Sequence, residues 1–179
     1  MEDKKVNHKD FFDLKDLGDE EAVKLYQSVA PLIGAIVIFF NDLEAAVADF
    51  LAFEINPDDK EAGWLVTHRM SYHEKATMLE TFVFYRLREI NNEELRLRFT
   101  ELFKELRRAG ERRNSVIHAG WQDVDAAEMV RVKMNTTKKG ELLHHFRKLD
   151  SKHLSDIMHQ LETTNDKLHE LFEEYDKLV

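Results

Sequence analysis

Apolar residues recur at three- and four-residue spacings along most of the chain, a period that predicts helices. Ile33, Ile36, Val37, Phe40, Leu43, Val47, Phe50 and Leu51 form a wide apolar face on a helix that Asp19 can cap and that runs to about Ile55. Pro31 lies inside it, so a break or kink is expected near Ser28–Ala30. Asn56-Pro57-Asp58-Asp59 reads as a turn, and residues 60–69 as a short helix around Trp64 and Leu65. Ser71-Tyr72-His73-Glu74 has capping-box spacing, and the helix after it reaches about Glu89, with Ala76, Leu79, Phe82, Val83, Arg86 and Leu87 along one side. Asn91 and Asn92 end it, and Asn92 caps the next helix.

That next helix is predicted over residues 95–121. At about 100° per residue, Leu95, Phe99, Leu102, Phe103, Leu106, Gly110, Ile117 and Trp121 fall on one stripe. Arg113 and Asn114 fall on the same stripe, with His118 just beyond Asn114. Polar groups on a core-facing stripe cost free energy unless they are paired or open to a cleft or interface. The second half of this helix therefore points something polar at a specific place. After it the period changes. Residues 128–134 alternate, 135–140 read as a turn and 141–149 return, which suggests a small β-hairpin. The last helix starts near Ser151, with Leu154, Ile157, Leu161, Thr164, Leu168, Leu171, Tyr175 and Leu178 on its seam. Residues 1–18 read as an N-terminal arm or short helix carrying Phe11, Phe12, Leu14 and Leu17, ended by Gly18. The expectation is a mainly α fold. It is a four- to five-helix bundle in a single domain over residues 19–179, with a small β-hairpin between the motif helix and the last helix.

Composition narrows the function classes. The 179 residues are 43% hydrophobic and 34% charged, too apolar for a disordered chain. The chain contains no cysteine, so disulfides, thiolate metal sites and cysteine nucleophiles are excluded. The most apolar run, Val29 to Phe40, is twelve residues against the twenty or so of a membrane span, and the first residues lack a signal peptide's apolar core. A cytosolic protein without a membrane partner is expected. The net charge of −9 argues against a general nucleic-acid coat. Residues 63–152, however, hold 18 Lys/Arg against 13 Asp/Glu, so positive charge gathers where the polar stripe lies.

The polar stripe reads Arg113-Asn114-Ser115-Val116-Ile117-His118. This stretch resembles the HEPN superfamily, whose members carry an Arg, usually a polar residue after it, and a His four to six residues past the Arg near the end of a bundle helix. The resemblance implies a HEPN-type helical bundle, dimerised so that two motif helices face each other. Catalytic members are ribonucleases that need no metal, some of them in toxin–antitoxin or phage-defence systems. Carried over, Arg113 would stabilise the scissile phosphate, His118 would exchange protons with the ribose 2′-hydroxyl or the leaving oxygen, and Asn114 would orient one of them or the phosphate. Those roles suit the side chains: guanidinium is a permanent delocalised cation, and imidazole titrates near neutrality. Arg113 and His118 are about 140° apart on an ideal helix, so a homodimer that completes the site with a second motif is expected. Arg108, Arg112, Arg131 and Lys133 are candidate RNA contacts, and Lys138, Lys139, Arg147 and Lys148 add charge to the hairpin. In toxin members modified by an antitoxin nucleotidyltransferase, a Tyr stands two residues after the motif His. Here that residue is Gly120, which puts that form of regulation in doubt, although an antitoxin or regulatory partner is compatible with the reading.

Two other readings compete with the ribonuclease. One is a HEPN-like dimerisation or RNA/nucleotide-binding module without catalysis, which the acidic body favours. The other is a structural bundle in which Arg113 closes a buried ion pair and His118 suits the helix C-terminus. Glu44, at the edge of its apolar face, is either a solvated carboxylate or a partner for Arg113. No His-Glu-x-x-His, carboxylate-rich loop, phosphate-binding glycine loop or Gly-x-Ser-x-Gly elbow is present, so no metal and no cofactor is expected.

Overall fold

The computed structural model describes residues 4–7, 19–90, 92–118, 120–125, 128–140, 142–148 and 151–178. Among these lie five helices: α1 (Asp19–Ile55), α2 (Lys60–Thr67), α3 (Tyr72–Arg86), α4 (Glu93–Ile117) and α5 (Ser151–Tyr175). Four strands accompany them: β1 (Lys4–Asn7), β2 (Gly120–Asp125), β3 (Glu128–Thr136) and β4 (Leu142–Lys148). The fold is mainly helical. The chain forms two compact units, Met1–Val37 with Asn114–Ile157, and Ile38–Arg113 with Met158–Val179.

The first unit holds an antiparallel sheet in the order β1-β4-β3-β2. β3 and β4 pair from Val130 opposite Lys148 to Thr136 opposite Leu142. Their turn is closed by the Gly140 amide donating to the Thr137 carbonyl at 2.9 Å. Gly140 has φ of 80°, a left-handed conformation that favours glycine. β1 pairs along β4 from Lys4 opposite Phe146 to Asn7 opposite Leu143. The apolar group Phe11, Phe12, Leu14 and Leu17 lies outside the described residues.

The second unit is a helical bundle. Its core is Phe40, Leu43, Val47 and Leu51 from α1, Leu79 and Val83 from α3, Leu95, Phe99, Leu102, Phe103 and Leu106 from α4, and Leu161, Leu168 and Phe172 from α5. The caps act where the sequence places them. Ser71 and Glu74 form the reciprocal capping box of α3. Asn92 accepts the Leu95 amide at 3.0 Å to start α4. Asp59 caps α2 by accepting the amides of Glu61 and Ala62. α2 packs so closely on α1 that a Cβ on Gly63 would lie 2.3 Å from the Ala52 carbonyl oxygen.

Three expectations change. Of the break or kink expected near Pro31, the break does not occur: α1 is one continuous helix through that residue. An internal proline loses one hydrogen bond and sets its ring against the preceding turn, together about 3 kcal/mol, which a 37-residue helix with a buried face absorbs. The apolar part of α1 also extends beyond Val29–Phe40. Tyr26–Ile55 contains an 18-residue stretch of mean hydropathy 1.7 and is by length and composition sufficient to cross a bilayer. A core helix meets the same criterion; 28% of that stretch is buried, and Phe40, Leu43, Val47 and Leu51 of α1 lie inside the bundle. Finally, α4 ends at Ile117 rather than Trp121, because Gly120 and Trp121 pair with Val132 and Arg131 in the sheet.

Candidate functional site

The last turns of α4 carry the motif. The N-terminal part of α4 follows its predicted stripe, with Leu95, Phe99, Leu102, Phe103 and Leu106 almost wholly buried. Further on, the buried positions are Ala109, Gly110 and Val116. Ile117 is only partly buried, so the inward face near the helix end centres on Val116 instead. Arg113 is half-buried, whereas Asn114 and His118 are exposed. His118 stands one residue past α4 and extends its last turn, its amide donating to the Asn114 carbonyl at 3.2 Å.

Arg113 belongs to the helical unit, and its surroundings there are aromatic. The guanidinium carbon lies 5.2 Å from the centroid of the Phe40 ring, within the range of a cation–π interaction. Phe40 packs on Tyr72 with ring centroids 4.7 Å apart and planes tilted by 56°. The Tyr72 hydroxyl donates to the Leu106 carbonyl at 3.0 Å. Burial, reinforced by the negative charge of Glu44, pushes the Tyr72 hydroxyl well above the usual phenol range, so it remains a donor. Gly110 permits this arrangement: a Cβ there would meet Tyr72 Cε1 at 3.0 Å and Cδ1 at 3.1 Å.

Glu44 is not a freely solvated carboxylate. It forms an ion pair with Lys75 at 2.8 Å, and the Lys75 side chain is 12% exposed. Lys75 follows the α3 cap by one turn, which brings its ammonium back to α1. Of the candidate RNA contacts, Arg108 and Arg112 are exposed on α4. Arg131 and Lys133 lie on β3, in register with Arg147 and His145 of β4. Lys138 and Lys139 are exposed in the β3–β4 turn.

Periodicity does not single out Tyr72, Lys75 or Phe40 as neighbours of the motif. Phe40 is one of many apolar positions on α1, and Tyr72 stands inside a capping box. One signal is available in Gly110. A glycine within a helix costs roughly 1 kcal/mol relative to alanine, a cost commonly offset where another group must approach closely. Among the described residues, no group of three or more His, Asp or Glu side chains is arranged to hold a metal ion. Comparisons with protein-family models, curated proteins and solved structures find no match.

Proposed function

We propose that this protein is a HEPN-type, metal-independent endoribonuclease of the cytoplasm, acting as a homodimer in toxin or phage-defence biology. The observation that carries the reading is the Arg113-Asn114-x3-His118 pattern at the end of a bundle helix, with Asn114 and His118 exposed and Arg113 only half-buried. A side chain retained only for the core would be enclosed, and the two exposed motif residues are not.

In this mechanism His118 accepts the proton of a ribose 2′-hydroxyl. The 2′-oxygen attacks the adjacent phosphorus, the P–O5′ bond breaks, and the leaving 5′-oxygen takes a proton from the imidazolium of His118 or of the second motif's histidine, so that no net proton is gained or lost. Arg113 stabilises the added negative charge on the phosphorane, and Asn114 holds the phosphate or the imidazole. The products are a 2′,3′-cyclic phosphate and a 5′-hydroxyl, without a water or metal in the step. The net charge of −9 favours a second reading, a non-catalytic RNA-binding or dimerisation module.

The test is incubation with mixed cellular RNA in EDTA. The native protein should cleave it, and Arg113→Ala and His118→Ala should each lose about 10²–10⁴-fold in rate while remaining folded. Cleavage by the native dimer that is unchanged in either variant would remove that residue from the mechanism. A native dimer that binds RNA but leaves it intact would select the module.

A further inference from the structure

We propose that the groove between α4 and α5 receives an amphipathic helix of another protein, with leucine-sized residues along one face and lysine or arginine beside them. The groove lies wholly within the helical unit, and none of its lining residues belongs to the Arg113–His118 motif. The inference therefore stands or falls independently of the ribonuclease reading.

The groove has a volume of about 400 Å³, and Leu102 and Leu171, both almost wholly buried, form its floor. Leu97 also lines it but is 60% exposed, a large apolar side chain left against water. Two ion pairs cross from α4 to α5, Arg98 with Glu174 and Lys167 with Glu105. On each helix the two positions are seven residues apart, a rise of about 10.5 Å. Residues i, i+4 and i+7 of a docking helix cover the same rise, which matches a row of three apolar side chains to the stretch between the pairs.

Charge selects the occupant. Arg98 and Lys167 are engaged by acids of the facing helix. Between those pairs stand Glu101 on α4 and Glu170 on α5, both exposed. Among the described residues Glu170 has no ion pair, and Glu101 pairs with Lys104 of its own helix. An exposed pair of that kind contributes little and gives way readily to an incoming cation. The middle of the groove is therefore negative, which disfavours a phosphate backbone or an anionic membrane surface. It also disfavours a second copy. An isologous contact would set one acidic rim on another, on a chain of net charge −9. A cationic amphipathic helix satisfies both features. Its apolar residues enter over Leu102 and Leu171 and cover Leu97, while its flanking cations reach Glu101 and Glu170.

The probe is a synthetic amphipathic peptide with leucine on one helical face and lysine on the other, beside a counterpart with glutamate in place of lysine. Binding to the full chain is measured by fluorescence anisotropy, and the contact is located from the leucine methyl resonances of ¹³C-labelled protein. The lysine peptide should bind and shift the methyls of Leu97, Leu102 and Leu171, and the glutamate peptide should not bind. Leu97→Ala should weaken binding about tenfold, as should Glu101→Gln combined with Glu170→Gln. Glu101→Lys with Glu170→Lys should reverse the preference between the two peptides. All three positions are exposed, and thermal melts check that the variants are folded. The methyl shifts are read on the native protein, so they decide the location even where a variant melts early. A lysine peptide that fails to bind, or equal binding of both peptides, would overturn the proposal. Binding that leaves the three methyls unmoved would place the peptide elsewhere on the acidic body and overturn it as well. A native dimer that Leu97→Asp separates into monomers would assign the groove to a second copy instead.

Discussion

Glu54 shows how one residue can set the pH response of the helical unit. Its side chain is 1% exposed and lies 2.8 Å from Arg86 Nε, with the Tyr175 hydroxyl close by. Burial raises the carboxyl above its ordinary value of 4.5, and Arg86 only partly offsets that effect. A carboxyl raised by folding binds its proton more readily in the folded state than in the unfolded chain. Its stabilising contribution is therefore complete below about pH 4.5 and is lost as pH rises through the higher folded-state value. Tyr175 stays protonated over this window, because burial and the Glu54 charge both push its hydroxyl upward. The expected outcome concerns the difference in urea-unfolding free energy between native protein and Glu54→Gln, measured from pH 4.5 upward. That difference should move against the native protein as pH rises. A flat difference would mean that Arg86 compensates the burial fully.

At the scale of elements, two glycines on helices predict opposite responses to one substitution. Gly63 is the contact point of α2 on α1, where a Cβ would lie 2.3, 2.7 and 2.8 Å from backbone atoms of Ala52. Backbone cannot swing aside as a side-chain tip can, so α2 must lift. Gly63→Ala should destabilise the unit by about 1–3 kcal/mol, despite alanine's better helix propensity. Gly34, inside α1, is open on the side where a Cβ would stand, with nothing within 4 Å of that position. Gly34→Ala should stabilise the protein by about 0.5–1 kcal/mol. Thermal melts of the two variants check both signs, and a stabilising Gly63→Ala would refute the close approach. The same elements show what local sequence conveys. The capping box at Ser71 and Glu74, the Asn92 cap and the stripe from Leu95 to Leu106 are read from spacings of three or four residues, because helix energetics are local. The end of α4 is not local. Trp121 fits the helical stripe, and only its pairing with Arg131, ten residues on, places it in a strand. β1 is further from reach still, since its partner β4 is more than a hundred residues away. The site divides in the same way: Arg113, Asn114 and His118 are visible as a motif, while the Phe40 ring beside Arg113 and the Lys75 partner of Glu44 depend on which helices become neighbours.

Charge and aromatic packing operate across the whole molecule, and their magnitudes decide which one holds the helical unit together. With 35 acidic and 26 basic residues, the chain has charge to spare for ion pairs, and three that join α4 to α3 and α5 lie near water. Arg98 meets Glu174, Lys167 meets Glu105 and Arg107 meets Glu80, all with side chains 26–47% exposed. Pairs of that exposure contribute roughly 0–1 kcal/mol each, and salt screens them. The centre of the aromatic cluster, Phe99, Phe172 and Tyr175, is fully buried. Phe172 is fully buried, stacks on Phe50 at 4.1 Å, and meets Phe99 and Tyr175 edge-on at 5.5 and 5.6 Å. Removing that ring loses its transfer free energy and leaves a cavity, about 3–5 kcal/mol in all. Phe172→Ala should therefore destabilise the protein more than the triple variant Glu80→Gln, Glu105→Gln, Glu174→Gln. Raising NaCl from 0.1 to 1 M, about 10 to 3 Å in screening length, should shrink the triple variant's deficit and leave that of Phe172→Ala in place. Urea unfolding at the two salt concentrations distinguishes the contributions. A triple variant that cost more than Phe172→Ala would place the stability of the bundle in its surface charges instead of its aromatic core.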